Sequence, residues 1–204
     1  MSINLILCGA SGRLGLEIVK EIENHPSIKL TGCISSKNNK SIGEKISAFT
    51  NSSFDVELKS SFEGILKPDV ILDVSSPNFF DEIVNFSKSN EVPLIVASTG
   101  HDDQQISMLN KLSESIPIMI APNLSMGINY IKNFFNSFSL TSLTNDIEIH
   151  ETHHKNKIDS PSGTALDLKD LFESKKEKLK VSIKSYRDDA VSYTHLTLPT
   201  INWV

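Results

Sequence analysis

Within nineteen residues, 147–165, the chain places His150, His153 and His154, Lys155 and Lys157, the acids Glu148, Glu151 and Asp159, and the turn Pro161-Ser162-Gly163-Thr164. No packing requirement calls for that mixture. Histidine titrates near neutral pH, so His153 or His154 can donate a proton. Ser162, Gly163 and Thr164, at a helix start, offer N–H groups and hydroxyls to a carboxylate. Two rival readings use the same letters. His150-Glu151-Thr152-His153-His154 satisfies the H-E-x-x-H pattern of zinc peptidases, and the histidines could also be plain strand or loop surface. The zinc chemistry needs a helix, because only helical spacing puts both histidines on one metal. Here Ile147, Ile149 and Glu151 alternate with Glu148, His150 and Thr152, which predicts a strand with His150 and His154 about 13 Å apart. We expect no metal.

A second constellation lies at the start of the chain. Gly9-Ala10-Ser11-Gly12-Arg13-Leu14-Gly15 follows an apolar run directly and opens a helical one. In such a loop the first glycine permits the tight turn, the second lets the backbone approach a pyrophosphate, and the third lets helix and strand pack closely. The spacing G-x-x-G-x-x-G is a variant of the dinucleotide fingerprint, and a glycine turn with only a packing role is its alternative. About 20 residues on, where a carboxylate would hold a ribose 2′-hydroxyl, the chain reads Ser35-Ser36-Lys37. Two hydroxyls and a lysine can accept a 2′-phosphate, so NADPH is favoured over NADH.

The elements that must position these residues are legible in the hydrophobic pattern. Residues 3–8, 28–34, 70–74, 94–97 and 116–121 are short apolar runs that read as buried strands. Residues 17–24, 79–89 and 104–115 carry apolar side chains at three-to-four spacing and read as helices, with Pro26, Pro93 and Pro117 marking where helices have ended. Strands alternating with helices predict a parallel sheet covered on both faces. After Pro122 the pattern changes to a helix over 125–138, a strand over 146–152 and a helix over 162–174. This is a second unit of α+β type. The charged run 173–180 reads as a solvated helix end.

Composition narrows the partners. A net charge of −5 and a pI near 5.7 argue against nucleic acid or an anionic membrane surface, and no apolar run approaches the ~18 residues of a membrane span. Residues 1–8 lack the basic start and cleavage site of a secretory signal. Cys8 and Cys33, each in an apolar run, read as reduced core residues of a cytoplasmic protein. A small soluble ligand is the expected partner.

At the histidine segment the chain resembles the 4-hydroxy-tetrahydrodipicolinate (dihydrodipicolinate) reductase family of the diaminopimelate route to lysine. The resemblance rests on Glu151, His153, His154, Lys157, Asp159, Pro161, Ser162, Gly163, Thr164 and Ala165. It extends through the glycine loop, residues 69–77, Ala97-Ser98-Thr99-Gly100 and residues 121–129, covering roughly 3–187. It implies an α/β fold: a Rossmann-type nucleotide domain over 1–124 and a substrate-binding and oligomerisation domain over 125–189. It implies a nicotinamide cofactor on Gly9, Ala10, Ser11, Gly12, Arg13 and Leu14, contacted also by Ala97, Ser98 and Thr99 and by Ala121, Pro122, Asn123 and Leu124, with Ser35 added from the strand-end argument. It further implies a dicarboxylate cyclic imine held by His154, Gly163 and Thr164, with His153 as general acid and Lys157 as a cationic donor. The domains would close about a hinge at 123–125 in a homotetramer.

The resemblance implies a chain that runs well past 204 residues, and residues 190–204 are expected to depart from the family pattern. Truncation, a frame change or appended residues are expected there, leaving the second domain incomplete. Two further functions compete. A Rossmann-type imine or aldehyde reductase of another substrate should lack the Ser162-Gly163-Thr164 turn, and a non-catalytic nucleotide-binding remnant would keep the loop without turnover.

Overall fold

The structure is a computed structural model that describes residues 2–137, 146–155, 157, 159–175 and 179–189. The chain divides into two compact units, Met1–Pro122 and Asn123–Val204.

The first unit is built on six strands, β1 (Ile3–Cys8), β2 (Ile28–Ile34), β3 (Leu58–Lys59), β4 (Val70–Asp73), β5 (Leu94–Val96) and β6 (Ile118–Ile120). They pair in parallel in the order β3-β2-β1-β4-β5-β6. That order is the doubly wound one, and it reverses direction at β1 and β4, where the strand ends open a crevice for ligand. Alternation along β1 feeds two cores. Ile6 and Cys8 pack with Phe80, Ile83 and Val84 of α3 (Phe80–Asn90) and with Leu109 and Leu112 of α4 (Asp103–Leu112). Leu5 and Leu7 pack on the other face with Val19 and Ile22 of α1 (Arg13–Ile22). Each fully buried Leu or Ile contributes about 1.5–3 kcal/mol, so the strand that carries the glycine loop is anchored from both sides. Cys8 and Cys33 are free and buried in these cores. Burial pushes the Cys33 thiol up to about 12 and raises Cys8 well above its ordinary value, with Asp73 adding to it, so both remain protonated packing groups.

In the second unit α5 (Met126–Ser137) is followed by β7 (Asp146–His154), α6 (Gly163–Glu173) and β8 (Lys180–Asp188). β7 and β8 run parallel from Asp146 opposite Lys180 to His154 opposite Asp188. Ile147, Ile149 and Val181 meet Ala165, Leu168 and Phe172 of α6 and Phe135 of α5 in one cluster, and the Phe135 and Phe172 rings meet edge-on at 4.9 Å.

The expected strands and helices are present, with shifted ends. α1 starts at Arg13 and ends at Ile22 rather than spanning 17–24, because Gly12 caps it directly. α4 begins at Asp103 through a capping box in which Asp102 accepts from the Gln105 N–H and Gln105 from the Asp102 N–H. β7 continues two residues past the expected end, to His154. Among the described residues, β3, the four-residue helix α2 (Ser47–Thr50) and β8 went unforeseen. The charged run at 173–180 gives up its expected helical character after Glu173, residues 176–178 lie outside the described residues, and Lys180 already starts β8. The tail at 190–204 also lies outside the described residues.

Candidate active site

The glycine loop leaves β1 at its carboxyl end. Gly9 has φ of +85°, and a Cβ there would lie 2.7 Å from the Val74 carbonyl oxygen, so only glycine makes this turn. At Gly15 an added Cβ would overlap the Gly9 carbonyl oxygen and stand 2.8 Å from the Ala10 Cα, which is the close helix–strand approach the third glycine was expected to allow. Gly12 differs. A Cβ there would meet only the Gly9 oxygen, at 3.2 Å, and Gly12, Arg13 and Leu14 are exposed. The helix start carries no side-chain cap, so its leading N–H groups suit a phosphate. Ala10 is fully buried and its N–H goes to the Ile34 carbonyl. It packs the loop onto β2.

Beside this loop a pocket of about 340 Å³ is lined by Gly9, Ser35, Ser36, Lys37, Ser75 and Glu82, among others. Ser35 Oγ lies 2.6 Å from Ser11 Oγ, and the Asn39 amide donates to both hydroxyls at 2.8 and 2.9 Å. Lys37 Nζ reaches Glu82 at 3.3 Å. These residues fit the adenosine end of a dinucleotide. Asn39 was not foreseen, because nothing in its neighbourhood marks it until the fold brings it to the loop.

At the next strand ends the 97–100 segment is pinned from below. Ala97 and Ser98 donate their N–H groups to the Asp73 carbonyl. The buried Asp73 carboxylate accepts from Ser75 N–H at 2.9 Å, from Ser75 Oγ at 2.5 Å and from Ser98 Oγ at 2.5 Å. Ser98 thus spends its proton on Asp73 and turns a lone pair to His101 Nε2 at 2.8 Å, while His101 Nδ1 faces Gln105 Oε1 at 3.2 Å. Thr99 is exposed at the surface of this support, Ala121 is buried with its N–H on the Val96 carbonyl, and Pro122 is exposed.

In the second unit β7 delivers the histidines. Glu148 and His150 lie on the strand face opposite the apolar cluster, where His150 Nε2 meets Glu148 Oε1 at 2.6 Å and Lys184 pairs with the same carboxylate. Both His150 and His154 therefore belong to a strand, where the zinc-peptidase spacing does not put them on one metal. His153 follows Ile149 and Glu151 to the face that α6 covers, and His154 goes to the other by strand alternation. Lys155 pairs with Asp189 at the surface.

The groups that gather around His153 come from three segments. Glu151 Oε2 is 3.8 Å from its Nδ1. Burial lowers His153 below its ordinary value, Glu151 and Asp159 oppose that, and Lys157 and Arg187 add to it. Lys157 Nζ donates to Asp159 Oδ1 at 2.7 Å. Burial pushes the Asp159 carboxyl up, but the Lys157 hydrogen bond and charge and the Gly163 N–H outweigh it, and it titrates below the usual range. α6 is capped by Ser162, which accepts from the Ala165 N–H at 3.2 Å, and Thr164 Oγ1 receives the Asn123 amide at 2.6 Å. Asn123 also accepts from the Ser125 N–H at 2.8 Å, so its side chain ties the expected hinge segment to α6. Leu124 is exposed.

Comparison with known proteins decides the family. The family model described as "Dihydrodipicolinate reductase, N-terminus" matches residues 3–124, and "Dihydrodipicolinate reductase, C-terminus" matches residues 127–200. The chain belongs to the dihydrodipicolinate reductase family. It is 37% identical over 174 residues to the 4-hydroxy-tetrahydrodipicolinate reductase of Buchnera aphidicola subsp. Cinara cedri, covering 80% of this chain and 62% of that one. It is 33% identical over 165 residues to the enzyme of that name from Clostridium novyi, covering 80% and 61%. The chain thus spans a little over three-fifths of the length of these relatives. Among solved structures, the dipicolinate-bound dihydrodipicolinate reductase of Paenisporosarcina sp. TG-14 superposes with a TM-score of 0.64 at 24% identity, covering 92% of this chain and 80% of that one. An aspartate semialdehyde dehydrogenase from Vibrio cholerae shares the fold at a TM-score of 0.55 and 12% identity.

In the family's signature the residues sequence reasoning singled out as donors, His153 and Lys157, stand in one cluster with Gly163. Glu151, Asp159 and Arg187 stand there with them. The first two were quoted in the signature without a role, and Arg187 Nη2, which donates to the Asp159 carbonyl at 2.6 Å, could have been found only by foreseeing β8 beside β7.

Proposed function

We propose that the chain is an NAD(P)H-dependent 4-hydroxy-tetrahydrodipicolinate reductase, reducing that substrate to tetrahydrodipicolinate in the diaminopimelate route to lysine. The observation that carries this reading is the Lys157 ammonium, held by Asp159 at 2.7 Å beside His153 on the connection that leads into α6. A site that holds its own aspartate this way has the chemistry to hold a substrate carboxylate and protonate its neighbour. The names of the relatives and a dipicolinate-bound family member agree with a dicarboxylate ring.

When bound, the reduced nicotinamide supplies hydride. The chain's own residues do the rest. Gly12, Arg13 and Leu14 take the pyrophosphate at the start of α1, and Thr99 faces the ring end from the segment that Asp73 pins. Once the 4-hydroxyl has left as water, hydride addition to the resulting conjugated C=C/C=N system leaves negative charge to be quenched, and His153 donates that proton while the Lys157 ammonium stabilises the charge. Gly163 and Thr164 bind a carboxylate at the start of α6. The substrate's negative charge favours the imidazolium of His153 and so opposes the burial that lowers it.

The assay mixes freshly generated substrate with protein and follows loss of NADPH absorbance. Turnover that depends on His153 is the expected result, and nucleotide binding without turnover would instead mark a non-catalytic remnant. With no carboxylate at the end of β2 and Lys37 at the pocket, NADPH is the preferred cofactor. One charge-assisted hydrogen bond of about 1.5 kcal/mol gives a roughly tenfold advantage in kcat/KM over NADH, which Lys37→Ala removes. A clear NADH preference sinks this part. The same reading makes the protein a cytoplasmic homo-oligomer, a tetramer by family resemblance. Among the described residues no helix is long and apolar enough to cross a membrane.

A further inference from the structure

Glu151 is a carboxylate with no solvent exposure. Burying an ion is costly unless several partners compensate, and Ser162 at the start of α6 supplies the nearest of them. Oε1 accepts from the Ser162 N–H at 2.9 Å, and Oε2 from the same N–H at 3.1 Å and from the Ser162 hydroxyl. Oε2 also lies 3.8 Å from His153 Nδ1, and Oε1 lies 3.8 Å from Arg187 Nη1. Burial pushes the Glu151 carboxyl up, but hydrogen bonds from Ser162 and Ser185 and the facing His153 outweigh it, so it is held below its ordinary value and stays ionised.

We propose that Glu151 is the positioning residue of this site, fixing the proton donor His153 and the carboxylate-binding start of α6 to one buried anion. The Ser162 hydroxyl donates to Glu151 and accepts from Ala165, so the carboxylate holds the cap that orients Gly163 and Thr164. The other contact sets His153 Nδ1 on the side of the buried anion. A glutamine of the same shape could keep part of the contact with Ser162. It could not supply the charge that favours imidazolium. Among the described residues, the charged groups facing His153 include Glu151 from β7, Lys157 and Asp159 from the connection to α6, and Arg187 from β8. Glu151 and Asp159 favour the protonated ring, whereas burial, Lys157 and Arg187 disfavour it. Removing the Glu151 charge moves the balance further toward the neutral ring. A general acid works only while protonated, so the rate then falls away at lower pH than in the parent.

The inference rests on the reductase reading for its kinetic consequence but not for its first test. Histidine side-chain NMR titration of the full chain, with His153 assigned by its absence in His153→Ala, should show the His153 midpoint about one pH unit lower in Glu151→Gln. The alkaline limb of kcat/KM should move by the same amount. Glu151→Asp keeps the charge but withdraws it by one methylene, so it should give a smaller downward shift. An unmoved midpoint in folded Glu151→Gln overturns the proposal. If that variant does not fold, an unmoved midpoint in Glu151→Asp overturns it instead. Lack of turnover in the parent would reject the reductase reading while leaving the His153 midpoint to be judged by itself.

Discussion

His153→Ala lowers kcat by about 10²–10⁴-fold, the range for loss of a positioned general acid, and leaves NADPH affinity unchanged. Steady-state kinetics and a fluorescence titration of bound NADPH measure the two quantities separately. The selectivity follows from where the residue stands: the glycine loop proposed to take the nucleotide is in the first unit, and His153 is on β7 in the second. Lys157→Ala behaves in the same way, since its ammonium bears on the developing charge. The double variant falls little below the weaker single one, because groups that act on one step as a unit are far from additive. Unchanged turnover in both single variants would remove these residues from the reaction.

Gly15→Ala abolishes NADPH binding and destabilises the protein by about 1–3 kcal/mol, as overpacking of a close contact does. The added methyl would collide with backbone atoms of Gly9 and Ala10, and backbone held at both ends cannot rotate out of the way. Gly9 is fastened to Ile34 by its N–H at 2.8 Å, so the strain can be relieved only by lifting α1 off β1, which moves the phosphate-binding N–H groups. Thermal unfolding and NADPH titration check the two parts. A variant that binds NADPH normally would show that α1 has room to slide. Gly12→Ala makes the contrast, because the atoms near its added methyl belong to the loop alone.

These two sites were legible in the sequence for different reasons. The glycine loop is a steric statement: where Gly9 and Gly15 must lack a Cβ, the spacing between them encodes a strand, a turn and a helix, and all three are found. The histidine segment was legible as a strand because Ile147, Ile149 and Glu151 alternate with polar residues, and the period alone separated it from a zinc helix. What stayed hidden depends on contacts across the chain. β3 is two residues long and has no run to betray it. β8 does alternate, with Val181 and Ile183 facing inward, but the lysines before it suit a helix end equally well. The pairing of Glu151 with Ser162 spans eleven positions, and that of Asn39 with Ser11 spans twenty-eight. Such distances are set by where the sheet brings the chain back, which local periodicity does not encode.

Gln105 is a member of two structures at once. Its carbonyl oxygen closes the capping box of α4 and faces His101, while its amide nitrogen donates to the Pro77 carbonyl at 3.2 Å. Fraying of the first turn of α4 therefore releases His101, and with it one of the two supports of Ser98. The segment at 97–100 and the start of α4 are thus joined through one chain of side-chain contacts. The local stability of a helix end is in this way also the stiffness of the floor on which Thr99 is presented.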